Sequence, residues 1–270
     1  MESAVFDVVI IGGGIIGLST ALRLKREQYP NWRIAVVEKD DGLANHQTGH
    51  NSGVIHSGIY YRPDSHKARF CVDGAKALLK FCDENEIEYE QCGKVIVAIH
   101  ESELARLDNL YERGVANGVQ GLEMIGPERL REIEPHVSGV KAMWVPSTGI
   151  VDYKKVAAAY ASRFQEAGGD IFTGAEVHRI TKNSDTLAIE TNLGVLQAKH
   201  LINCVGLHAD RVAEMMGEDI DVRIIPFRGE YYTLRPESHD LVKGLIYPVP
   251  DPRFPFLGVH YTRNIHGQVE

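Results

Sequence analysis

The sequence predicts an α/β protein, α+β overall, built on a parallel sheet that begins near the N-terminus, and three observations predict it. A short apolar run is followed by a glycine-rich turn and then by an amphipathic helix. A second run rich in β-branched residues closes a βαβ unit of roughly 30 residues. Much later come a meander of short β-like stretches, another buried strand and a glycine turn.

Taken in order, Asp7 to Ile11 reads as a buried strand and Ile15 to Glu27 as a helix with Leu18, Ala21, Leu22 and Leu24 on its apolar side. Tyr29-Pro30-Asn31 ends the helix, and Arg33 to Val37 reads as the second strand. Thr48 to Tyr61 is polar and glycine-bearing, which predicts an irregular loop, the kind of segment that often carries function. Lys67 to Asn85 is predicted helical, Gly93 to His100 a strand, and Glu103 to Ala116 and Pro127 to Ile133 helices. Asp152 is placed to cap a helix over Tyr153 to Ala167, which Gly168-Gly169 stops. Strands are predicted over Glu176 to Thr181, Thr186 to Thr191, Gly194 to Ala198 and His200 to Val205, then a turn at Gly206 and a helix over Ala209 to Met216. Asp221 to Glu270 alternates like antiparallel strands, interrupted by a proline-rich loop from Pro248 to Pro255. Met215-Met216 and Phe254 to Leu257 read as packing residues.

With 270 residues, the chain is long enough for two intertwined domains. Its net charge of -8 argues against a nucleic-acid partner, which needs a clustered basic footprint. Cys71, Cys82, Cys92 and Cys204 lack C-x-x-C spacing and read as reduced thiols, and the histidines show no metal-ligand spacing. No apolar run is long enough to span a membrane, and little sequence precedes the first strand, so the expectation is a cytoplasmic chain without a leader.

Gly12, Gly14 and Gly17 satisfy G-x-G-x-x-G between a strand and a helix. Gly12 permits the turn, Gly14 lets backbone N–H groups approach a pyrophosphate, and Gly17 lets helix and strand pack closely; Ile15 and Ile16 open the helix whose dipole faces the phosphates. Glu38 stands 21 residues after Gly17, at the end of the next strand, where a carboxylate accepts from ribose hydroxyls and repels a 2'-phosphate. This unit alone leaves FAD and NAD both open.

The segments Val8 to Gly17, Val36 to Lys39, His46 to Tyr61 and Asn203 to Arg211 resemble the D-amino-acid-oxidase-like (DAO) family of FAD-dependent oxidoreductases. Three longer strings, His46 to His56, Pro226 to Tyr231 and Tyr247 to His260, are similar to the L-2-hydroxyglutarate oxidases and dehydrogenases within that family. The resemblance implies FAD and a Rossmann-like FAD-binding domain of glutathione-reductase/DAO type, discontinuous over residues 1–85 and 150–220. It also implies an antiparallel-sheet substrate domain over residues 86–149 and 221–270. Proteins of this kind continue past the point where this chain stops, so a C-terminally truncated chain with an incomplete substrate domain is expected. The implied reaction is oxidation of L-2-hydroxyglutarate, a small hydroxy acid, to 2-oxoglutarate, with electrons passing to oxygen or to a quinone. The quinone case carries peripheral contact with the inner face of the cell membrane. Alternatives are another small substrate, such as an amino acid or glycerol 3-phosphate, and a non-catalytic dinucleotide-binding fragment.

Under this resemblance Lys39 joins Glu38 at the cofactor. His50, Asn51, Ser52 and Gly53 lie along the flavin ring, Val177 against the adenine and Gly206 beside the dinucleotide. Oxidising a secondary alcohol needs a base for the hydroxyl proton, and histidine titrates in the right range, which makes His260 and His56 the candidates. A dicarboxylate needs cations, and arginine grips carboxylates with two hydrogen bonds. Arg228 and Arg263, on predicted strands beside aromatic residues, are the substrate-binding candidates, with Tyr61 and Arg62 on the loop before the next helix.

Overall fold

The computed structural model describes residues 5–253 and 258–270. In chain order its elements are β1 (Phe6–Ile11), α1 (Ile15–Arg23), β2 (Ile34–Val37), β3 (Val54–Ile55), α2 (His66–Glu84), β4 (Tyr89–Glu90) and β5 (Lys94–Ala98). There follow α3 (Leu104–Ala116), β6 (Glu123–Ile125), α4 (Pro127–Ile133), β7 (Lys141–Val145), β8 (Gly149–Val151), α5 (Tyr153–Glu166) and β9 (Asp170–Phe172). The last are β10 (Val177–Lys182), β11 (Leu187–Thr191), β12 (Gly194–Asn203), α6 (Ala209–Met215), β13 (Leu245–Pro248) and β14 (Tyr261–Thr262). The chain divides into two compact units, Met1–Asn51 with Tyr153–Gly229 and Ser52–Asp152 with Glu230–Glu270.

In the first unit a six-stranded sheet runs β10-β11-β12-β1-β2-β9. β1 is parallel to both neighbours, with Val9 opposite Leu201 on β12 and Ala35 on β2. These strands are covered on both faces, so Ile34 to Val37 are buried throughout and read as continuous apolar runs rather than alternating ones. Leu18, Ala21 and Leu22 of α1 are buried, and α1 packs with α5, which buries Val156, Ala157, Ala161 and Phe164. The helix predicted to Glu27 keeps α geometry only to Arg23. It then widens into a π turn over Leu24–Gln28, closed by the Tyr29 N–H donating to the Leu24 carbonyl at 2.7 Å. The two strands predicted over 194–198 and 200–205 are one strand, β12, because Ala198 pairs with Leu187 on β11 and with Phe6 on β1 at once.

The second unit holds a five-stranded sheet, β14-β13-β5-β7-β6, and a three-stranded one, β3-β8-β4. Ile96, Leu107, Met143, Ile150, Leu245 and Tyr247 fill its main core. Residues 52–85, expected with the glycine-rich unit, pack here instead. Val54 pairs with Ile150, and the carbonyls of Gly58, Tyr60 and Tyr61 accept from Arg113 of α3 and from Asn117 just beyond its end.

The expectation of antiparallel strands over 221–270 needs correcting. β13 is antiparallel to β14 but parallel to β5, with Tyr247 opposite Ile96. Residues 221–235 carry no strand, so Arg228 does not lie on one. No neighbouring strand takes up their alternating apolar side chains, and Val222, Ile225, Phe227 and Tyr232 are exposed. Met216 packs as expected while Met215 stays at the surface, and the packing expected of Phe254 to Leu257 lies outside the described residues. β3, β4, β6, β8 and β9, two or three residues each, are too brief to show a period of two, and β7 lies outside the sequence expectation as well.

Candidate functional site

In the first unit, the carboxyl ends of β12, β1 and β2 lie side by side, and each leads into a turn that carries candidate residues. Open α/β sheets bind ligands at such strand ends. Gly12 adopts φ +112, and a Cβ there would stand 2.4 Å from the Cys204 carbonyl oxygen. A Cβ on Gly17 would stand 1.9 Å from the Gly12 carbonyl oxygen, so helix and turn are in backbone contact. Gly14 is different, because the nearest atom to a Cβ there is the Thr48 hydroxyl oxygen at 3.2 Å.

Gly14 is the N-cap of α1 and offers the helix no side-chain cap. Thr48 Oγ1 accepts the Ile15 N–H at 3.0 Å from across the loop, and the Ile16 side chain is 64% exposed. The Glu38 carboxylate bends back onto the turn, Oε2 accepting the Gly13 N–H at 2.7 Å and Oε1 the Asp40 N–H at 3.0 Å. Each oxygen keeps a lone pair for a further donor. The Ala175 N–H donates to the Glu38 carbonyl at 2.8 Å, bringing the strand that begins at Val177 back past the end of β2. Val177 is half-buried in this unit's core. Gly206 follows β12 with φ +57 and nothing within 4 Å of a Cβ. The His46 and His208 rings are 6.2 Å apart. The His208 imidazole is held below its ordinary range by burial first, then by the charges of Lys39, Arg211 and His46.

The stretch from His50 to Gly53 crosses the unit boundary. His50 Nδ1 lies 3.0 Å from the His46 carbonyl oxygen, and the Asn51 amide donates to the carbonyls of Gln47 and Thr48, so both brace the short turn ahead of them. Ser52 opens the second unit, and Gly53, at φ +71, passes 2.9 Å from the Val151 carbonyl oxygen as measured from a Cβ built there.

In the second unit the charge of His260 acts on His56. His260 lies against Tyr247 with ring centroids 4.4 Å apart, and its Nδ1 is 2.8 Å from the Gly258 carbonyl oxygen. His56 keeps an exposed edge yet is crowded on its other sides. Desolvation first, then the charges of Lys94 and His260, bring its pKa down to about 4. The Cys71 thiol donates to the His56 carbonyl at 3.4 Å, and burial pushes that thiol up. Arg263 is engaged, donating to the Lys243 carbonyl at 2.8 Å and pairing with Glu90. Arg228, which belongs to the first unit, is exposed and forms no ion pair among the described residues. Tyr61 and Arg62 form the turn into α2, where Ser65 caps the helix and donates to the Arg62 carbonyl.

Thr48 and Lys94 were missed from the sequence. Thr48 lies inside the string His46 to His56, where only its neighbours were singled out. Lys94 opens an apolar strand and looks like a solvated flank, yet it is fully buried.

The family described as FAD dependent oxidoreductase (DAO) matches residues 7–269. L-2-hydroxyglutarate dehydrogenase of Indibacter alkaliphilus is 50% identical over 266 residues, covering 98% of this chain and 66% of the relative. The mitochondrial L-2-hydroxyglutarate dehydrogenase of Homo sapiens is 49% identical, covering 98% and 59%. The chain thus spans about 59 to 66% of the length of these curated relatives. Among solved structures, dithionite-reduced L-alpha-glycerophosphate oxidase from Mycoplasma pneumoniae with FAD bound superposes with a TM-score of 0.83 at 26% identity, over 98% of this chain and 70% of that one. Glycine oxidase from Geobacillus kaustophilus shares the fold, with a TM-score of 0.74 at 20% identity over 98% of this chain and 70% of that one.

Proposed function

The chain belongs to the family of FAD dependent oxidoreductases, matched over residues 7–269, and from that premise we propose that it oxidises L-2-hydroxyglutarate to 2-oxoglutarate, the hydride passing to flavin N5. The observation that carries the substrate is an identity of 50% over 98% of the chain with a protein named L-2-hydroxyglutarate dehydrogenase. When bound, FAD supplies the two-electron acceptor.

The residues of the first unit fit that group. Gly12, Gly14 and Gly17 give the turn and the close helix packing, and the open start of α1 at Ile15 and Ile16 offers N–H groups and a positive dipole end to the pyrophosphate. Glu38 takes the ribose hydroxyls with its remaining lone pairs, Lys39 lies beside it, Val177 borders the adenine and Gly206 lets the chain pass close to the dinucleotide. His50, Asn51, Ser52 and Gly53 serve the flavin ring.

His260 and His56 are the proposed proton acceptors. His260 Nδ1 donates to the Gly258 carbonyl, which leaves Nε2 as the acceptor. His56, with its pKa brought down to about 4, is neutral at physiological pH and so is also free to accept. Arg228 is the stronger cation for a substrate carboxylate because Glu90 already holds Arg263; Tyr61 and Arg62 remain secondary candidates. Electrons leave to oxygen or to a quinone. Among the described residues no helix is long and apolar enough to cross a membrane, and the proposed setting is the cytoplasm, with peripheral contact at the inner membrane face in the quinone case.

The likeness to glycerophosphate oxidase favours a second reading, in which the same scaffold takes glycerol 3-phosphate or an amino acid. Anaerobic absorbance of the FAD-loaded chain tests both. Bleaching with L-2-hydroxyglutarate and not its D-enantiomer supports the proposal. Bleaching by glycerol 3-phosphate or glycine alone overturns the substrate, and bound flavin that no donor bleaches points to a non-catalytic dinucleotide-binding module.

A further inference from the structure

Lys94 opens β5 at 0% exposure, and its Nζ has no hydrogen-bond partner. It occupies a core position. Val145 on β7, Lys94 on β5 and Leu245 on β13 stand opposite one another in register, so their side chains share one face of the sheet. The two apolar members of that row belong to the main core of this unit. The ammonium lies 4.7 Å from the centroid of the Tyr60 ring and 4.9 Å from that of Tyr247. Aromatic faces attract a cation but bring it no full negative charge.

The Tyr60 hydroxyl is itself buried without a partner, and so is that of Ser57, three residues earlier in the same loop. No carboxylate acts on Lys94 among the described residues. Glu134, the buried acid of this unit, spends its oxygens on the N–H groups of Lys243 and Gly244. A buried charge left unpaired opposes folding, and buried polar groups without partners are rare in native proteins. A cation and a phenol orphaned against each other therefore point to a ligand. Water would satisfy their hydrogen bonds and leave the charge standing, whereas two donors with no acid between them match a carboxylate.

We propose that Lys94 and the Tyr60 hydroxyl form a carboxylate-binding site in the second unit, which takes one of the two carboxylates of the hydroxy acid. The proposal rests on the oxidation read above. Lys94 and His260 both lie against the Tyr247 ring, at 4.9 and 4.4 Å from its centroid. A cation and a candidate proton acceptor thus flank one side chain, as a substrate that carries both a carboxylate and a hydroxyl requires. Tyr60 and His260 are only partly buried, which sets the side of approach. Burial lowers the Lys94 pKa to about 7, and an arriving carboxylate favours the charged form.

Glutarate tests the site, because it carries both carboxylates and, without the 2-hydroxyl, has no alcohol to oxidise. In isothermal titration of the FAD-loaded chain, glutarate binding is expected to weaken roughly 10- to 100-fold in Lys94→Met, the effect of losing a charge-assisted contact. The variant is expected to melt no lower than the wild type, which separates lost binding from lost folding, and Lys94→Gln gives a second neutral side chain should the first fold poorly. Tyr60→Phe keeps the ring, drops the hydroxyl and is expected to weaken binding by a smaller factor. Unchanged glutarate affinity in both Lys94 variants overturns the site, with the ammonium then served by water alone, and leaves the substrate reading intact. If the wild type binds no glutarate the site also falls, and bleaching by L-2-hydroxyglutarate decides separately whether the oxidation stands.

Discussion

The Glu38 carboxylate accepts the Gly13 N–H at 2.7 Å, tying the end of β2 to the turn that follows β1. It therefore shapes the glycine turn as well as offering oxygens to a ribose. Glu38→Gln is expected to destabilise the chain by about 1.5–3 kcal/mol, the range for a hydrogen bond to a charged group. FAD affinity is expected to fall at least ~10-fold, since 1.4 kcal/mol corresponds to tenfold. Thermal unfolding and a flavin fluorescence titration read the two effects separately.

The glycines of the turn are expected to differ in kind. At Gly17 an added Cβ meets the Gly12 carbonyl oxygen at 1.9 Å, a backbone atom with nowhere to go. Gly17→Ala should therefore destabilise by about 1–3 kcal/mol or more through overpacking. At Gly14 the nearest atom is a side-chain oxygen at 3.2 Å, so Gly14→Ala should fold normally and lose FAD. Equal losses of stability in a denaturant titration would remove the distinction.

In the second unit, Glu134 is 1% exposed and accepts the N–H groups of Lys243 and Gly244 at 3.1 and 2.7 Å, fixing the approach to β13. Glu134→Ala strands two amides and is expected to cost about 2–5 kcal/mol. Glu134→Gln, which can still satisfy one of them, should cost less. Urea midpoints at neutral pH decide between these.

Lys94 gives a pH signature of its own. Its folded pKa, about 7, lies below the ordinary 10.5, so between those values the unfolded chain holds a proton that the folded chain lacks. Stability therefore rises with pH across that window, and below it the full penalty of a buried charge is felt. Lys94→Met is expected to stabilise by on the order of 3–5 kcal/mol at pH 6 and by much less at pH 10. A Tm gain that is flat across pH would contradict the assignment of the penalty to charge.

The first βαβ unit was legible because its signals are local: an apolar run, three glycines with separate steric tasks, and an acid at the next strand end. The same locality exposed α2 to α5 and the β10-β11 hairpin. What escaped depends on distant partners. β13 is parallel to β5 because Leu245 finds Lys94 roughly 150 residues away, and no pattern within either strand announces it. Alternation alone predicts a strand at Arg228, and alternation without a neighbouring strand leaves exposed chain. Thr48 and Lys94 were illegible for one reason. A hydroxyl in a loop and a lysine beside an apolar run are ordinary until the fold sets the first on the Ile15 amide and buries the second between two tyrosines.

The pairing of β1 with β12 also has a consequence in time. Phe6 to Ile11 are made well before their partners at Ala198 to Asn203, which come only after all of residues 52–152. At ~5–20 residues per second, an apolar strand edge waits roughly 10 to 40 seconds for its neighbour. The nascent chain therefore carries an unpaired, aggregation-prone edge until those partners emerge, and its yield in a cell should follow chaperone supply more closely than the stability of the finished fold.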